Sequence, residues 1–137
     1  MTTKDKGNIA ESIALSEFVK RNITVSIPFG DNAKYDLIAD FNGKLNRIQV
    51  KYCGCKSNTN SYICVCESKK SHTNKKHHIY TKKEIDYIFF YIAEVDTSVL
   101  IPIEDINGKG EIYLREHKTS SNQRLINDYL IDKIINF

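Results

Sequence analysis

The spacing of apolar residues near the start of the chain is helical. Residues 8–21 read NIAESIALSEFVKR, in which Ala14, Leu15 and Phe18 share one face at about 100° per residue. Glu11 lies in the middle of that face. Because a buried carboxylate is costly unless it is paired or bound to a metal, Glu11 is a satisfied core acid, an exposed residue or a site residue.

Alternating apolar and polar residues predict strands along the rest of the chain. Residues 24–27 form a first strand, which Pro28 and Gly30 end, and the loop PFGDNAK then leads into a β-hairpin. The hairpin turns at Asn42 and Gly43, because a type I′ turn needs positive φ at both central residues.

Later segments complete the predicted order of elements. Thr81 and Glu84 form a capping box that opens a short helix, and Asn122 caps a terminal helix carrying Ile126, Tyr129, Leu130 and Ile134. A strand at residues 62–66 returns antiparallel to the extended end of the hairpin. Further strands are predicted at residues 87–95, 99–103 and 111–114. This order predicts an α/β fold that forms one domain over residues 1–137.

The register of the hairpin brings polar side chains together. With a two-residue turn, Phe41 faces Lys44 and Asp36 faces Gln49. Because side chains alternate, Asp36, Gln49 and Lys51 share one face, within about 5 to 8 Å of each other. The other face is predicted to be core, and it carries Tyr35, Leu37, Ala39, Phe41, Ile48, Val50 and Tyr52.

Such a polar cluster suits phosphodiester cleavage. That reaction needs a hard divalent cation on oxygen ligands, and a positive group that orients the nucleophile or stabilises developing charge. Asp36 and the Val50 carbonyl can ligate Mg²⁺, and Lys51 can serve as the positive group. Gln49 offers an uncharged amide oxygen, and Glu11 adds a second carboxylate. The alternative is an exposed sheet face on which Asp36, Gln49 and Lys51 pair in solvent.

The pattern of these residues resembles the PD-(D/E)XK nuclease superfamily. It has an acid on the first helix, Glu11, an acid at the start of one strand, Asp36, and Lys51 two residues after Gln49 on the partner strand. The longer phrases KGNIAES, SIPFGDNAKYDLI, RIQVKY and EIDYIFFYIAEVDTSVLIPIEDI are similar to the group I intron-encoded homing endonucleases of that superfamily. The resemblance covers residues 6–106, with a weaker echo at residues 114–123.

The resemblance implies a fold and a role for each site residue. The implied fold is a restriction-endonuclease-like core, with a central mixed β-sheet flanked by α-helices. Asp36 would be the main metal ligand, Lys51 would assist the nucleophile, and Glu11 would support the site. Gln49 stands where most members have Asp or Glu and removes a negative charge, although Gln is a known variant in this branch. Tyr35 replaces the Pro of the motif and faces the core.

The implied function is a sequence-specific endonuclease that hydrolyses phosphodiester bonds in duplex DNA. It would depend on Mg²⁺, with Mn²⁺ as a substitute, and would act as a homo-oligomer, a dimer or a tetramer, in the role of a homing enzyme. Restriction-type and junction-resolving nucleases are alternatives with the same chemistry. A catalytically silent DNA-binding module and a small interaction protein with a solvated hairpin face are alternatives from other classes.

The basic residues of the chain supply candidate DNA contacts. A formal net charge of +3 is compatible with a polyanionic partner but does not require one. In a complex, such residues would position phosphates, although each taken singly is more often a solvated surface charge. The candidates are Lys44 and Arg47 on the hairpin, Lys69, Lys70, Lys75 and Lys76 in a basic stretch, and Arg115, Lys118 and Arg124 near the end.

The cysteines form two C-x-C pairs, Cys53 with Cys55 and Cys64 with Cys66. Four thiolates facing each other across a small hairpin could bind Zn²⁺. We do not expect structural zinc here, because zinc hairpins usually use C-x₂-C and the C-x-C spacing splays the ligands on flat strands. Reduced thiols that fill the core are expected instead.

The composition also bears on where the protein works. No apolar run approaches the roughly 18 to 20 residues that span a bilayer, and the start MTTKDKGN lacks the apolar core of a signal peptide. We therefore expect a soluble, intracellular protein with no membrane partner. The abundance of Asn, Ile, Lys and Tyr suggests an AT-rich genome, in a cell or in a virus that infects it.

Overall fold

Helix α1 spans Thr3–Lys20 and begins earlier than the predicted start at residue 8. The structure, a computed structural model, describes residues 1–69 and 77–135. A capping box closes the first turn, in which the Asp5 N–H donates to Thr2 Oγ1 (3.1 Å) and the Thr2 N–H donates to Asp5 Oδ2 (2.9 Å). The stretch before Ile9 has no apolar periodicity, so the sequence pattern missed this turn.

The central sheet is mixed. The strands of the described residues are β1 (Val25–Ser26), β2 (Leu37–Phe41), β3 (Lys44–Cys53), β4 (Tyr62–Val65), β5 (Glu67–Lys69), β6 (His77–Ile79), β7 (Tyr87–Ile92), β8 (Thr97–Pro102), β9 (Glu111–Arg115) and β10 (Arg124–Leu125). The central sheet has the order β1-β2-β3-β7-β8, and only its β3–β7 pair is parallel. A second sheet has the order β10-β9-β4, and β5 and β6 form a separate two-stranded ribbon, the β5–β6 ribbon. The predicted α/β fold with a central mixed sheet is confirmed.

The β2–β3 hairpin has the predicted turn. Asn42 and Gly43 both have positive φ, 56° and 93°, and Phe41 pairs with Lys44. The regular ladder ends where Leu37 pairs with Ile48, so the predicted pair of Asp36 with Gln49 is not part of it. Instead, the Asp36 N–H donates to the Ile48 carbonyl (2.9 Å).

Both faces of the central sheet are covered. On one face, Ala14 and Phe18 of α1 pack with Ile48, Val50 and Phe89. The hairpin pattern predicts a core on this side, and that prediction is confirmed for Leu37, Ala39, Phe41, Ile48, Val50 and Tyr52. It is wrong for Tyr35, which packs against the second apolar cluster.

The opposite face is polar only in part. Lys51 and Cys53 of β3 lie beside Phe90 and Ile92 of β7. Cys53 is 4% exposed, and it packs in a second apolar cluster with residues of β4 and β9. The second sheet therefore covers the part of this face that lies beyond Lys51.

Strand β4 pairs differently from the prediction. It lies antiparallel to β9, with Tyr62 opposite Leu114, and it meets the end of β3 and the chain that follows through an isolated bridge between Lys56 and Tyr62 and a bond from the Cys53 thiol to the Ile63 carbonyl (3.2 Å). Cys53, Cys64 and Cys66 are buried and Cys55 is exposed, all as free thiols. Burial raises the pKa of the Cys66 thiol to about 12.

The predicted helix at Thr81 is a single turn, since the Ile85 N–H donates to the Thr81 carbonyl (3.1 Å) and strand β7 begins shortly after. Strand β7 also ends earlier than predicted, because a 3-10 turn, Ala93–Val95, precedes a left-handed Asp96. Helix α2 (Ile103–Ile106) begins where a strand residue was predicted.

The predicted terminal helix is wrong in its first half. Arg124 lies in β10 and pairs in parallel with Leu114 of β9. A 3-10 turn, Ile126–Tyr129, then leads to helix α3 (Ile131–Ile134). Leu130 is extended between the two turns and forms a bridge with Val99, so it closes the edge of β8. Two short turns thus satisfy an apolar spacing that resembles one helix.

No helix among the described residues is long and apolar enough to cross a membrane.

Asp86 fixes the start of β7 against β3, because its Oδ2 accepts from the Arg47 backbone N–H (2.8 Å) and from Arg47 Nε (3.1 Å). Although burial opposes it, these bonds hold the pKa of Asp86 below its ordinary value. We expect Asp86→Asn to lower the free energy of unfolding at pH 7 by about 1 to 3 kcal/mol. A carboxylate with a lowered pKa stabilises above the unfolded value, so the loss should disappear as the pH falls below about 4.

Urea unfolding at pH 7 and pH 3 measures this difference. The control is Asp132→Asn, which removes a partner of Arg21. Because the Asp132 side chain is 71% exposed, we expect a clearly smaller loss than in Asp86→Asn. Equal losses in the two variants, or a loss at Asp86 that does not depend on pH, would contradict the prediction.

Candidate active site

Asp36 directly precedes β2, and its side chain crosses to β3. Asp36 Oδ2 accepts from the Val50 backbone N–H (2.9 Å), in the place where the ladder would otherwise continue. A strand residue directs its N–H and its carbonyl to the same side, so the Val50 carbonyl also leaves β3 toward Asp36. The side chain of Asp36 thereby lies beside a backbone oxygen of the partner strand.

Glu11 of α1 lies close to this carboxylate, so that the charge of Asp36 acts on it. Burial, and next the charge of Asp36, raise the pKa of Glu11. Burial also raises the pKa of Asp36, although the Val50 N–H and the Lys51 ammonium oppose the rise. Two carboxylates in contact are stable only when a proton or a cation offsets their repulsion.

Lys51 completes the cluster from β3. Its ammonium donates to the Glu67 carbonyl (3.1 Å) and lies over the Tyr80 ring, 5.5 Å from the centroid. Burial lowers the pKa of Lys51, and the nearby charge of Asp36 opposes that change. The neighbouring Gln49 amide donates to the Val50 carbonyl at 3.5 Å. The structure therefore brings together Glu11, Asp36, Gln49, Val50 and Lys51.

The oxygen atoms at this position suit a hard cation. Two carboxylates, of Glu11 and Asp36, and the Val50 carbonyl are the donors that Mg²⁺ or Mn²⁺ accepts. Across residues 1–69 and 77–135, no group of three or more His, Cys, Asp or Glu side chains is arranged to hold a metal ion. A cation here would therefore depend on a backbone oxygen and on water or substrate oxygens as well as on the two acids.

The arginines among the predicted DNA contacts have structural partners. Arg47 binds Asp86 and the carbonyls of Lys82 and Lys83. Arg124 donates to the Asp105 carbonyl (2.8 Å), and Arg115 donates to the Thr59 carbonyl. These bonds give each arginine a role in the fold, and contact of any of them with DNA stays a prediction.

The lysines differ from the arginines. Lys44 and Lys118 are exposed, and Lys69 lies at the end of β5. The remaining candidates, Lys70, Lys75 and Lys76, lie outside the described residues. A cavity of about 610 Å³ between the turn before β4 and strands β9 and β10 is lined by Lys109, Arg115 and Arg124, but by no residue of the Asp36 cluster.

Sequence reasoning missed two neighbours of Lys51, the Glu67 carbonyl and the Tyr80 ring. Both belong to or directly flank the β5–β6 ribbon, one on each side of the basic stretch at residues 68–78. Nothing in that composition marks Tyr80 as a partner of Lys51.

Comparison with known proteins identifies the family. A family model described as PD-(D/E)XK endonuclease matches residues 1–130. The chain belongs to the PD-(D/E)XK endonuclease family. This endonuclease is similar in structure to a bacterial homing endonuclease, I-Ssp6803I, with a TM-score of 0.79 and 26% sequence identity over 94% of this chain and 88% of that chain. Comparison with curated proteins finds no significant match.

The predicted family and fold are thereby confirmed, and both support a nuclease. That Asp36 is the first acid of the motif and Lys51 its lysine stays a prediction, as do the roles of the individual site residues.

The contact of the two acids should lower the stability of the metal-free endonuclease. Glu11→Gln removes one like charge, so we expect the free energy of unfolding at pH 8 to rise by roughly 0.5 kcal/mol, a small value because solvent screens the half-exposed Glu11. An acid whose pKa is raised in the folded protein lowers the free energy of unfolding at pH values above that pKa. The gain from Glu11→Gln should therefore vanish as the pH falls below about 4, where the acid is protonated in both states.

Chemical unfolding in a chelating buffer at both pH values measures the change. Glu17→Gln on the same helix is the reference, and it should change stability in the opposite direction because Glu17 binds Lys20 (3.0 Å) and Arg21 (2.7 Å). Loss of stability at pH 8 in Glu11→Gln would show that the two acids do not repel each other.

Proposed function

We propose that this protein is a metal-dependent, sequence-specific endonuclease that hydrolyses phosphodiester bonds in duplex DNA as a homing enzyme. The observation that carries the proposal is the proximity of Asp36 to Glu11, beside the Val50 carbonyl and the partly buried Lys51. The similarity to a bacterial homing endonuclease supports the homing role over restriction or junction resolution.

In this proposal, Asp36, Glu11 and the Val50 carbonyl hold the divalent ion. When bound, Mg²⁺ or Mn²⁺ supplies a Lewis acid that polarises the phosphate and makes a water molecule more acidic. The oxygens of Asp36 and Val50 are fixed by the hairpin itself, since Asp36 Oδ2 is held by the Val50 N–H. Glu11 reaches the same place from α1, so the two acids approach the ion from different elements.

Lys51 supplies the positive charge that the reaction needs beside the phosphate. The charge of its ammonium acts on Asp36, and in this proposal it orients the attacking water or offsets charge on the phosphoryl oxygens. Gln49 is uncharged, so the site carries one negative charge fewer than a site with Asp or Glu at that position. The hydrogen bond from the Gln49 side-chain amide to the Val50 carbonyl orients that oxygen.

DNA binding in this proposal depends on lysines that have no role in the active-site cluster. Exposed Lys44 and Lys118, and the basic stretch from Lys69 to Lys76, position the backbone of the duplex. A homo-oligomer, dimer or tetramer, would place two active sites on the two strands. Cleavage of duplex, branched and single-stranded DNA in the presence of Mg²⁺ distinguishes a homing endonuclease from a junction-resolving nuclease, because the latter prefers branched DNA.

Asp36→Asn should abolish cleavage, because it keeps an oxygen for the Val50 N–H but removes the charge that holds the ion. We expect the cleavage rate to fall about a thousandfold in Mg²⁺ or Mn²⁺. The substrate is a duplex obtained by selecting cleaved sequences from a random library with the native enzyme. The matched control is Asp40→Asn on β2, the strand that Asp36 precedes. The Asp40 carboxylate accepts from the Gly43 N–H, and the variant should cut at nearly the native rate.

Three results would count against the proposed function. The protein is a silent DNA-binding module if the native chain binds duplex DNA and cuts nothing in either metal. It is an interaction protein if it shows no salt-dependent DNA binding. The metal role of Asp36 is wrong if Asp36→Asn cuts as fast as Asp40→Asn.

Lys51→Met should separate cleavage from binding. It removes the ammonium but keeps an unbranched side chain, so we expect the single-turnover rate to fall about a hundredfold while DNA affinity stays within about threefold of the native value. Lys44→Ala on the same strand should do the reverse, with weaker binding and a salt slope reduced by about 1. Gel-shift titration at several salt concentrations and single-turnover cleavage measure the two effects. Loss of affinity without loss of rate in Lys51→Met would give Lys51 a binding role instead.

A further inference from the structure

The ammonium of Lys51 is held by an element other than its own sheet. Lys51 lies on β3, but its partners are the Glu67 carbonyl of β5 (3.1 Å) and the ring of Tyr80, which directly follows β6 (5.5 Å to the centroid). The β5–β6 ribbon thus approaches the central sheet at the position of the proposed active site. Both contacts are made to the ammonium nitrogen itself.

Tyr80 is a fixed part of its surroundings. It is 5% exposed, and its ring meets the His78 ring edge-on, with the two centroids 5.9 Å apart. The ring presents its face to Lys51, which is the side of an aromatic ring that attracts a cation.

The ribbon itself is held on both strands. Ser68 pairs with His78 across it, and His78 Nε2 lies 2.6 Å from the Glu84 carboxylate. Just before β5, the Cys66 N–H donates to the Gly110 carbonyl (2.8 Å). Because both strands of the ribbon are held by these bonds, the Tyr80 ring and the Glu67 carbonyl are in position beside Lys51 before substrate binds.

We propose that Tyr80 is a positioning residue, whose ring face holds the Lys51 ammonium beside Asp36. This inference rests on the proposed endonuclease function, and it names a residue that the PD-(D/E)XK motif does not contain. A lysine has a flexible four-carbon stem, and a small displacement of its charge from the reacting phosphate reduces its effect. The Tyr80 ring and the Glu67 carbonyl together restrict the ammonium to one place.

The experiment replaces Tyr80 in the full-length protein and measures single-turnover cleavage and DNA affinity separately. Tyr80→Leu removes the ring and leaves the Glu67 carbonyl, so we expect the rate to fall about tenfold with affinity unchanged. Tyr80→Phe keeps the ring face and should restore nearly the native rate. A fluorinated phenylalanine at position 80 keeps the shape of the ring but weakens its attraction for a cation, and it should give an intermediate rate.

Tyr62 provides the matched control. It is also buried, at 2% exposure, and it carries a different lysine over its ring, Lys56 at 5.0 Å, while its hydroxyl donates to Glu116 (3.1 Å). Tyr62→Leu should therefore leave the cleavage rate of the folded protein unchanged, whatever it costs in stability.

Each outcome decides the proposal. A native rate in Tyr80→Leu overturns it, and so does an equal loss in Tyr80→Phe, which would assign the effect to the hydroxyl. An equal loss in Tyr62→Leu overturns it as a general effect of core disruption. If Tyr80→Leu does not fold, the phenylalanine and its fluorinated form decide, because equal rates in these two exclude a role for the ring face. Failure of the endonuclease function itself is distinct, since the native protein would then cut no DNA.

Discussion

The hydrogen bond from the Val50 N–H to the Asp36 carboxylate is the interaction on which the rest of the site depends. It ends the β2–β3 ladder, because a side chain takes the place of the next backbone pair. It also fixes a carboxylate next to a backbone carbonyl that the ladder no longer uses. Glu11 and Lys51 then reach this position from opposite faces of the sheet. The cluster therefore forms because the Asp36 carboxylate accepts a hydrogen bond that a backbone carbonyl would accept in a regular ladder.

The cluster also shows a conflict between function and stability. Glu11 and Asp36 carry like charges in contact, and Lys51 is a partly buried ammonium, so burial opposes the charged form of all three. Natural folds tolerate such groups where chemistry requires them and recover the cost elsewhere. Here the recovery comes from the apolar packing of β3 and β7, which is covered on both faces. The uncharged Gln49 keeps the conflict from becoming larger.

Sequence reasoning succeeded where structure is local. Asn42 and Gly43 specify their own turn, and the turn then sets the register that places Asp36 near Lys51. It failed where distant segments compete, because β4 pairs with β9 and β10 lies beside β9, and no pattern within a short window encodes those choices. Tyr80 escaped notice for a related reason, since its contact with Lys51 exists only after the ribbon has docked on the sheet.

The parallel pairing of β3 with β7 has a consequence for how such a chain can evolve. Parallel neighbours require the chain to return from the end of one strand to the start of the next, and this return runs through residues 54–86. If its basic stretch contacts DNA as proposed, mutations there can retarget the enzyme while the acids on α1 and before β2 are left untouched. The Glu67 carbonyl and the Tyr80 ring limit that freedom, because these two points of the connecting segment contact Lys51 of the proposed active site. Changes of DNA specificity should therefore arise between Glu67 and Tyr80 more readily than at these two residues.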